Sequence, residues 1–330
     1  MRLSKATKSL IYTVCRSMIL LIIFLYTLIW LLRGIGYRGP VCLGRWPNYN
    51  CYTIEGFNAS QWPGPPFISG AVFKDLCKYN LDDRYELIPY DDEIEEGDRV
   101  FLKIIDIPGF LAIPPPVKVT LVISNSDEAL TDDLYQEMKP YVTDIFAISC
   151  SIPGVHQIPI GFRDDAYTPH KDLLDILNDP NKSGEKTTLC LVNFLLETDR
   201  GERKRALDRF SDESWATVDK SYLNYGLQKA TVFTIPETIQ KRLDYYARLK
   251  QTKFVICPPG RGTDTHRVYE TLFFGGIPII KTSYLDPMYE KLGGCWIVND
   301  WTDVTEAACT ERWNGHTTPT LQTSASYWLK

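Results

Sequence analysis

The chain has 330 residues, 44% of them hydrophobic and 23% charged, with Gly and Pro at 21 each. That balance excludes a disordered chain and a fibrous repeat, and at roughly 100–200 residues per domain the length gives one large or two modest domains. The net charge of −5, from 36 basic and 41 acidic side chains, excludes a general nucleic-acid binder, which needs a net basic surface. It leaves room for a small basic pocket holding one anionic ligand.

The N-terminus opens with Arg2, Lys5, Lys8 and Arg16 and then runs uncharged from Ser17 to Leu32 before Arg33 and Arg38. At about 1.5 Å of rise per residue, a helix here with snorkelling arginines at its ends reaches across a thin bilayer. Residues 1–16 are expected to form a cytosolic tail, because four basic residues and no acidic one precede the run. Residues 17–33 then form a transmembrane anchor and the rest lies in the lumen. A cleaved signal peptide has a similar start, but no small-residue cleavage site follows Leu32, and Trp30 with Arg33 suits an interfacial anchor. The sequons Asn58-Ala59-Ser60 and Asn181-Lys182-Ser183 agree with a lumenal body. Of nine cysteines, eight lie beyond the apolar run, an even number that permits disulfides without fixing their pairing. There is no C-x-x-C, and of the four histidines His156 and His170 lie far from any cysteine or acidic cluster, so no metal site is expected.

Residues 34–70, rich in Gly and Pro, read as a stem. Strands are expected at Val100–Ile105, Val117–Ser124, Asp144–Ser149 and Gln157–Gly161, with a helix after Thr131. The polar segment Asp179–Gly184 marks a boundary, separating a domain over 71–180 from one over 181–330. A second strand set follows at Thr188–Phe194, Lys253–Cys257, Ile277–Lys281 and Cys295–Val298. Helices are expected near Glu202–Phe210 and at Glu237–Lys250, the latter with Ile239, Leu243, Tyr246 and Leu249 on one face. Strands alternating with helices indicate an α/β fold with parallel sheets.

Residues 253–281 carry the chemistry. An apolar strand enters the turn Cys257-Pro258-Pro259-Gly260-Arg261-Gly262, Asp264 or Thr265 offers an N-cap, and a helix begins near His266 and ends at Gly275-Gly276. A glycine-containing loop feeding a helix N-terminus presents unpaired N–H groups suited to phosphate. Arg261 and Arg267 can clamp phosphate oxygens, and Glu270, one turn beyond Arg267, can accept from a ribose diol. Equally, Arg267 and Glu270 could form an ordinary i,i+3 ion pair on a solvated helix. The loop is neither a P-loop nor a G-x-G-x-x-G fingerprint.

The stretch Phe254–Lys281 resembles the donor-binding motif of exostosin-like glycosyltransferases (glycosyltransferase family 47), which reads strand, Pro-x-Gly, loop, Arg-x-x-Glu helix and Gly-x-Ile-Pro. Leu121–Glu128, with its Asn125-Ser126-Asp127, resembles the same group, as do His156–Gly161, Leu191–Phe194 with Thr198 and Arg203, and Asp300-Trp301. The resemblance runs in order over about residues 100–300. It implies a GT-B-like fold, two Rossmann-like domains with a cleft between them, and a donor bound mainly by the C-terminal one. It implies a UDP- or GDP-sugar as co-substrate with no separate cofactor, Arg267 on the diphosphate and Glu270 on the ribose. Gly260, Gly262, Arg261, His266 and Arg203 are further donor-side candidates. The expected protein is a single-pass type II enzyme of the Golgi or endoplasmic reticulum membrane, inverting, acting on a glycan or glycoprotein. A His often precedes Asn-Ser-Asp in relatives, whereas Ser124 stands here.

Glycosyl transfer must stabilise a leaving nucleoside diphosphate and deprotonate an acceptor hydroxyl. With no Asp-x-Asp in the chain, Arg267, Arg261 and loop amides are expected to do the first without metal. Asp127, just after a strand, is the candidate base; it could instead form an Asx turn or cap the next helix, and Asp106 is an alternative. A catalytically inactive protein that keeps the fold as a binding or scaffold module is the competing expectation, motivated by Ser124. A lumenal hydrolase is disfavoured, since no nucleophile–base pair can be nominated.

Overall fold

The computed structural model describes residues 68–81, 93–163, 184–199, 201–219, 235–314 and 324–330, with a few positions between 175 and 181. All belong to one compact unit, Ile54–Lys330. The expected tail, anchor and nearly all of the stem lie outside the described residues, as does the sequon at Asn58. Among the described residues no helix is long and apolar enough to cross a membrane. Asn181 of the second sequon is exposed.

Two five-stranded parallel sheets make an α/β fold. The first holds β1 (Tyr79–Asn80), β2 (Arg99–Leu102), β3 (Val119–Ile123), β4 (Val142–Ala147) and β5 (His156–Gln157) in simple sequential order. Every residue of β3 is buried, which is why its sequence is a continuous apolar run: a central parallel strand is covered on both faces. The helices α1 (Gly70–Asp75), α2 (Ile107–Ala112) and α3 (Asp132–Met138) accompany it. The hydroxyl of Thr131 accepts from Leu134 N–H and so caps α3, leaving Asp127 free of that duty.

The second sheet comprises β6 (Thr188–Val192), β7 (Ala216–Val218), β8 (Thr252–Ile256), β9 (Ile277–Lys281) and β10 (Trp296–Val298), in spatial order 10-9-8-6-7. The chain steps outward from β6 to β7 and then crosses to β8 on the other side of β6. The crevice beyond the C-terminal ends of β6 and β8 is therefore a topological switch point, where open α/β sheets bind ligands. Its helices are α4 (Glu202–Phe210), α5 (Ile235–Lys250), α6 (His266–Phe273), α7 (Asp286–Leu292), α8 (Glu306–Asn314) and α9 (Ala325–Trp328).

One core joins the two sheets. Phe101, Val122, Phe146 and Phe162 from the first side pack in the same cluster as Tyr246, Tyr269, Phe273 and Trp328 from the second. The Phe162 ring lies 5.1 Å from that of Phe273 and 5.8 Å from that of Tyr246, and burying such a ring contributes about 1.5–3 kcal/mol. Arg99 of β2 donates to the carbonyl of Leu329 at 3.1 Å, tying the C-terminus back to the first sheet.

Six cysteines are described and all are free thiols: Cys77, Cys150, Cys190, Cys257, Cys295 and Cys309. Burial pushes each of them up, Cys77 and Cys257 to about 12 and Cys309 to about 11. In the unfolded chain they ionise near pH 8.5, so stability present below about pH 8.5 is lost as pH climbs toward the folded values. Lys186 acts the other way, because burial draws it down to about 8 and the unfolded chain then holds the extra proton. Six thiols outweigh one amine. The reduced protein is expected to melt at a lower temperature at about pH 10 than at about pH 8. Cys190→Ala, which removes one fully buried thiol, should flatten that difference, and an equal or steeper fall in the variant would refute the assignment.

Candidate functional site

The turn after β8 is short of donors by composition, since Pro258 and Pro259 have no N–H, and it closes on itself where Gly260 N–H donates to the carbonyl of Gly262 at 2.9 Å. A Cβ at Gly260 would come within 2.7 Å of a terminal nitrogen of Arg203. That nitrogen cannot easily yield. Arg203, buried on α4, donates through Nε to the Pro259 carbonyl at 2.8 Å and through Nη1 to the Leu195 carbonyl at 2.7 Å, with its guanidinium over the Phe194 ring. Glycine at 260 is therefore a packing requirement set by an arginine of another helix.

The sequence offered Asp264 or Thr265 as the cap of α6, and Thr265 takes the N-cap position. Its hydroxyl caps nothing; it is buried without a hydrogen-bond partner. Asp264 turns away from the helix and inward. Its carboxylate, 3% exposed, accepts from Ile160 N–H at 2.8 Å, Tyr269 OH at 2.6 Å and Tyr289 OH at 2.9 Å. Burial raises its pKa while these three donors hold it down. His266 makes a parallel link, with Nδ1 2.8 Å from the carbonyl of Gly161. Gly161 has φ +78°, and a Cβ there would meet the Ile68 backbone. Asp264 and His266 thus lash the loop to the strand-like segment 158–162 beside the first sheet. The α6 N-terminus is left with no side-chain cap, its positive end toward the crevice.

Arg267 does not close on Glu270 in the i,i+3 ion pair open to it. Its Nη1 donates to Asn193 Oδ1 and Tyr245 OH, both at 3.2 Å, and the guanidinium sits over the Tyr245 ring. Asn193 Nδ2 in turn donates to Asp219 at 2.7 Å, and Asp219 pairs with Arg248 at 2.6 Å. This relay holds Arg267 at the ends of β6 and β8. Glu270 is only 6% exposed, and no hydrogen bond to its carboxylate occurs among the described residues. Burial, and secondarily the charge of Arg267, pulls Arg203 down to about 10. Two guanidiniums beside one crevice give it a positive potential that can hold an anion.

Arg261 and Asp127 meet across the crevice at 3.5 Å, both well exposed, and Gly262 lies against the Asp127 carbonyl. Thus Arg203, Arg267, Glu270, Gly260 and Gly262 gather at the switch point, with Arg261 and Asp127 at its rim. His266 sits beside them but is engaged with Gly161. Ser124 is fully buried and its hydroxyl has no partner. Sequence reasoning missed Asn193, Tyr245 and Asp219; a polar residue directly after a central strand was the only local signal, at Asn193.

Residues 186–296 match a family model described as the RXYLT1 C-terminal domain, a xylosyltransferase-type domain of the exostosin-like group. The matched stretch is glycosyltransferase-like and spans β6 to the first residue of β10, so it contains the turn, α6 and the arginine relay. No curated protein matches the chain.

Asp264→Ala would strand two phenolic hydroxyls and one N–H in the core, at about 1–3 kcal/mol for each unpaired group. Urea unfolding should show a loss of about 3 kcal/mol or more, with Asp264→Asn recovering part of it. A loss below about 1 kcal/mol would mean the loop is not held by this carboxylate.

Proposed function

We propose that the chain is a glycosyltransferase of GT-B type that transfers a sugar from a nucleotide-sugar donor to a glycan or glycoprotein. The observation that carries this is the convergence, at the switch point of the second sheet, of a helix N-terminus with no side-chain cap, the guanidiniums of Arg203 and Arg267, and the largely buried carboxylate of Glu270. The diphosphate would lie at the start of α6 against Arg267, with Arg203 behind the turn, and Glu270 would accept from the ribose diol. The match of residues 186–296 to a xylosyltransferase-type domain supports the class and makes UDP-xylose the first donor to try, before other UDP- and GDP-sugars.

Charge that develops on the leaving diphosphate meets fixed cations and a helix dipole, so the reaction is proposed to proceed without added metal and with inversion. Asp127, held at the rim by Arg261, is the proposed base that takes the acceptor's proton. The apolar run 17–33 would anchor the enzyme in the Golgi or endoplasmic reticulum membrane with its body in the lumen.

The full chain should release UDP or GDP from a nucleotide sugar in the presence of EDTA. Arg267→Ala should lower kcat by about 10²–10³, the range seen when one preorganised transition-state donor is lost, and Glu270→Ala should mainly raise KM for the donor. Full turnover in both variants would contradict the assignment. Ser124, buried where the exostosin-like pattern often has a His, favours a second reading, a silent binding module. It predicts stabilisation by nucleotide without turnover of any donor.

A further inference from the structure

At the C-terminal ends of β8 and β9, lined also by Asp199 and Glu202 from the segment after β6, lies a cavity of about 310 Å³. Cys257 and Ile280, at the ends of β8 and β9, form an apolar floor, and Pro259 and Thr263 of the turn form one wall. This is the small end of the roughly 300–1,000 Å³ typical of small-molecule pockets, with ample room for one sugar ring. The cavity adjoins the proposed diphosphate position: Pro259 accepts from Arg203, and Cys257 lies in the fields of both Arg203 and Arg267.

Its other wall is polar and fixed. Glu202 Oε1 accepts from Lys281 Nζ at 3.1 Å and from Trp301 Nε1 at 2.7 Å, so carboxylate and ammonium are presented side by side and neither can swing away. Arg205, at 2.7 Å from Oε2, and Lys281 both offset Glu202, and the second lining carboxylate, Asp199, accepts from the N–H groups of Gly201 and Glu202, so neither is left bare for a cation. A nucleobase would want an aromatic slot, and the lining Tyr289 is committed to Asp264. Closely spaced hydroxyls that both donate and accept suit a carboxylate–ammonium pair best. At the edge, beside the lining Ser283, Tyr284 is 41% exposed yet pinned by its hydroxyl to Thr263 Oγ1 at 3.1 Å and the Ser149 carbonyl at 3.2 Å. An aromatic face held open in this way can cover an apolar sugar face.

We infer that this cavity is the subsite for the transferred sugar, with Glu202 and Lys281 reading its hydroxyls and Tyr284 packing on its ring; the inference depends on the donor site proposed above. The test is calorimetric titration of the full chain with UDP, GDP, UDP-xylose and UDP-glucose. In Lys281→Met, Glu202→Gln and Tyr284→Ala, with circular dichroism as the check on folding, the nucleoside diphosphate should bind as in the wild type within about 2-fold. The favoured nucleotide sugar should lose about 10-fold or more, or discrimination between the two sugars should collapse. If the wild type binds a nucleoside diphosphate and all three folded variants leave its nucleotide-sugar affinities unchanged, the subsite is wrong and the diphosphate cradle stands. Equal weakening of UDP and UDP-sugar also overturns the subsite. If the wild type binds neither nucleotides nor nucleotide sugars, the donor site falls and the subsite with it.

Discussion

The carboxylate of Asp264 holds the turn after β8 in place by taking three donors at once, one from the segment beside the first sheet and two from helices of the second. Because that carboxylate is spent inside the core, it does not cap α6, and the helix keeps its positive end unsatisfied toward the crevice. The same constraint fixes where Arg261 and Gly262 emerge, and with them the contact to Asp127. Loop position, helix polarity and the join between the two sheets therefore share one buried group, which is a costly arrangement unless every donor is present.

Around that group the chemistry divides along the second sheet. On the β6 side, Arg267 is oriented by Asn193, Tyr245 and the Asp219–Arg248 pair, and Arg203 is held under the turn by carbonyls. Next to Arg203 on α4, Glu202 meets Lys281 from the end of β9, and the two frame a small adjoining cavity. The division follows from topology. β8 lies between β6 and β9, so residues leaving its C-terminal end line both compartments and connect them.

Much of the framework was legible in the sequence because the signals were local. The apolar runs placed β3, β6, β8 and β9 within a residue or two, and the periodicity of Ile239, Leu243, Tyr246 and Leu249 placed α5. The strands that escaped, β1 and β7, have two and three residues, too few to show a pattern; they exist because a neighbouring strand supplies their register. At the site, the spacing of Arg267 and Glu270 was readable, while the direction each side chain takes was not. Whether Arg267 pairs with Glu270 is decided by Asn193 and Tyr245, far off in the chain. Asp264 is the clearest case: locally it is a good N-cap, and tertiary donors outbid the helix for its oxygens. Glu202, Lys281 and Tyr284 carried no local signal at all, since their cavity is assembled from segments about eighty residues apart.

A crystal structure of the chain with UDP or GDP bound measures the central claim most directly. The account places the diphosphate at the first turn of α6, within hydrogen-bonding distance of Arg267, and the ribose hydroxyls against the carboxylate of Glu270. A nucleotide seated elsewhere, or one that leaves Glu270 buried and unpartnered, would contradict it.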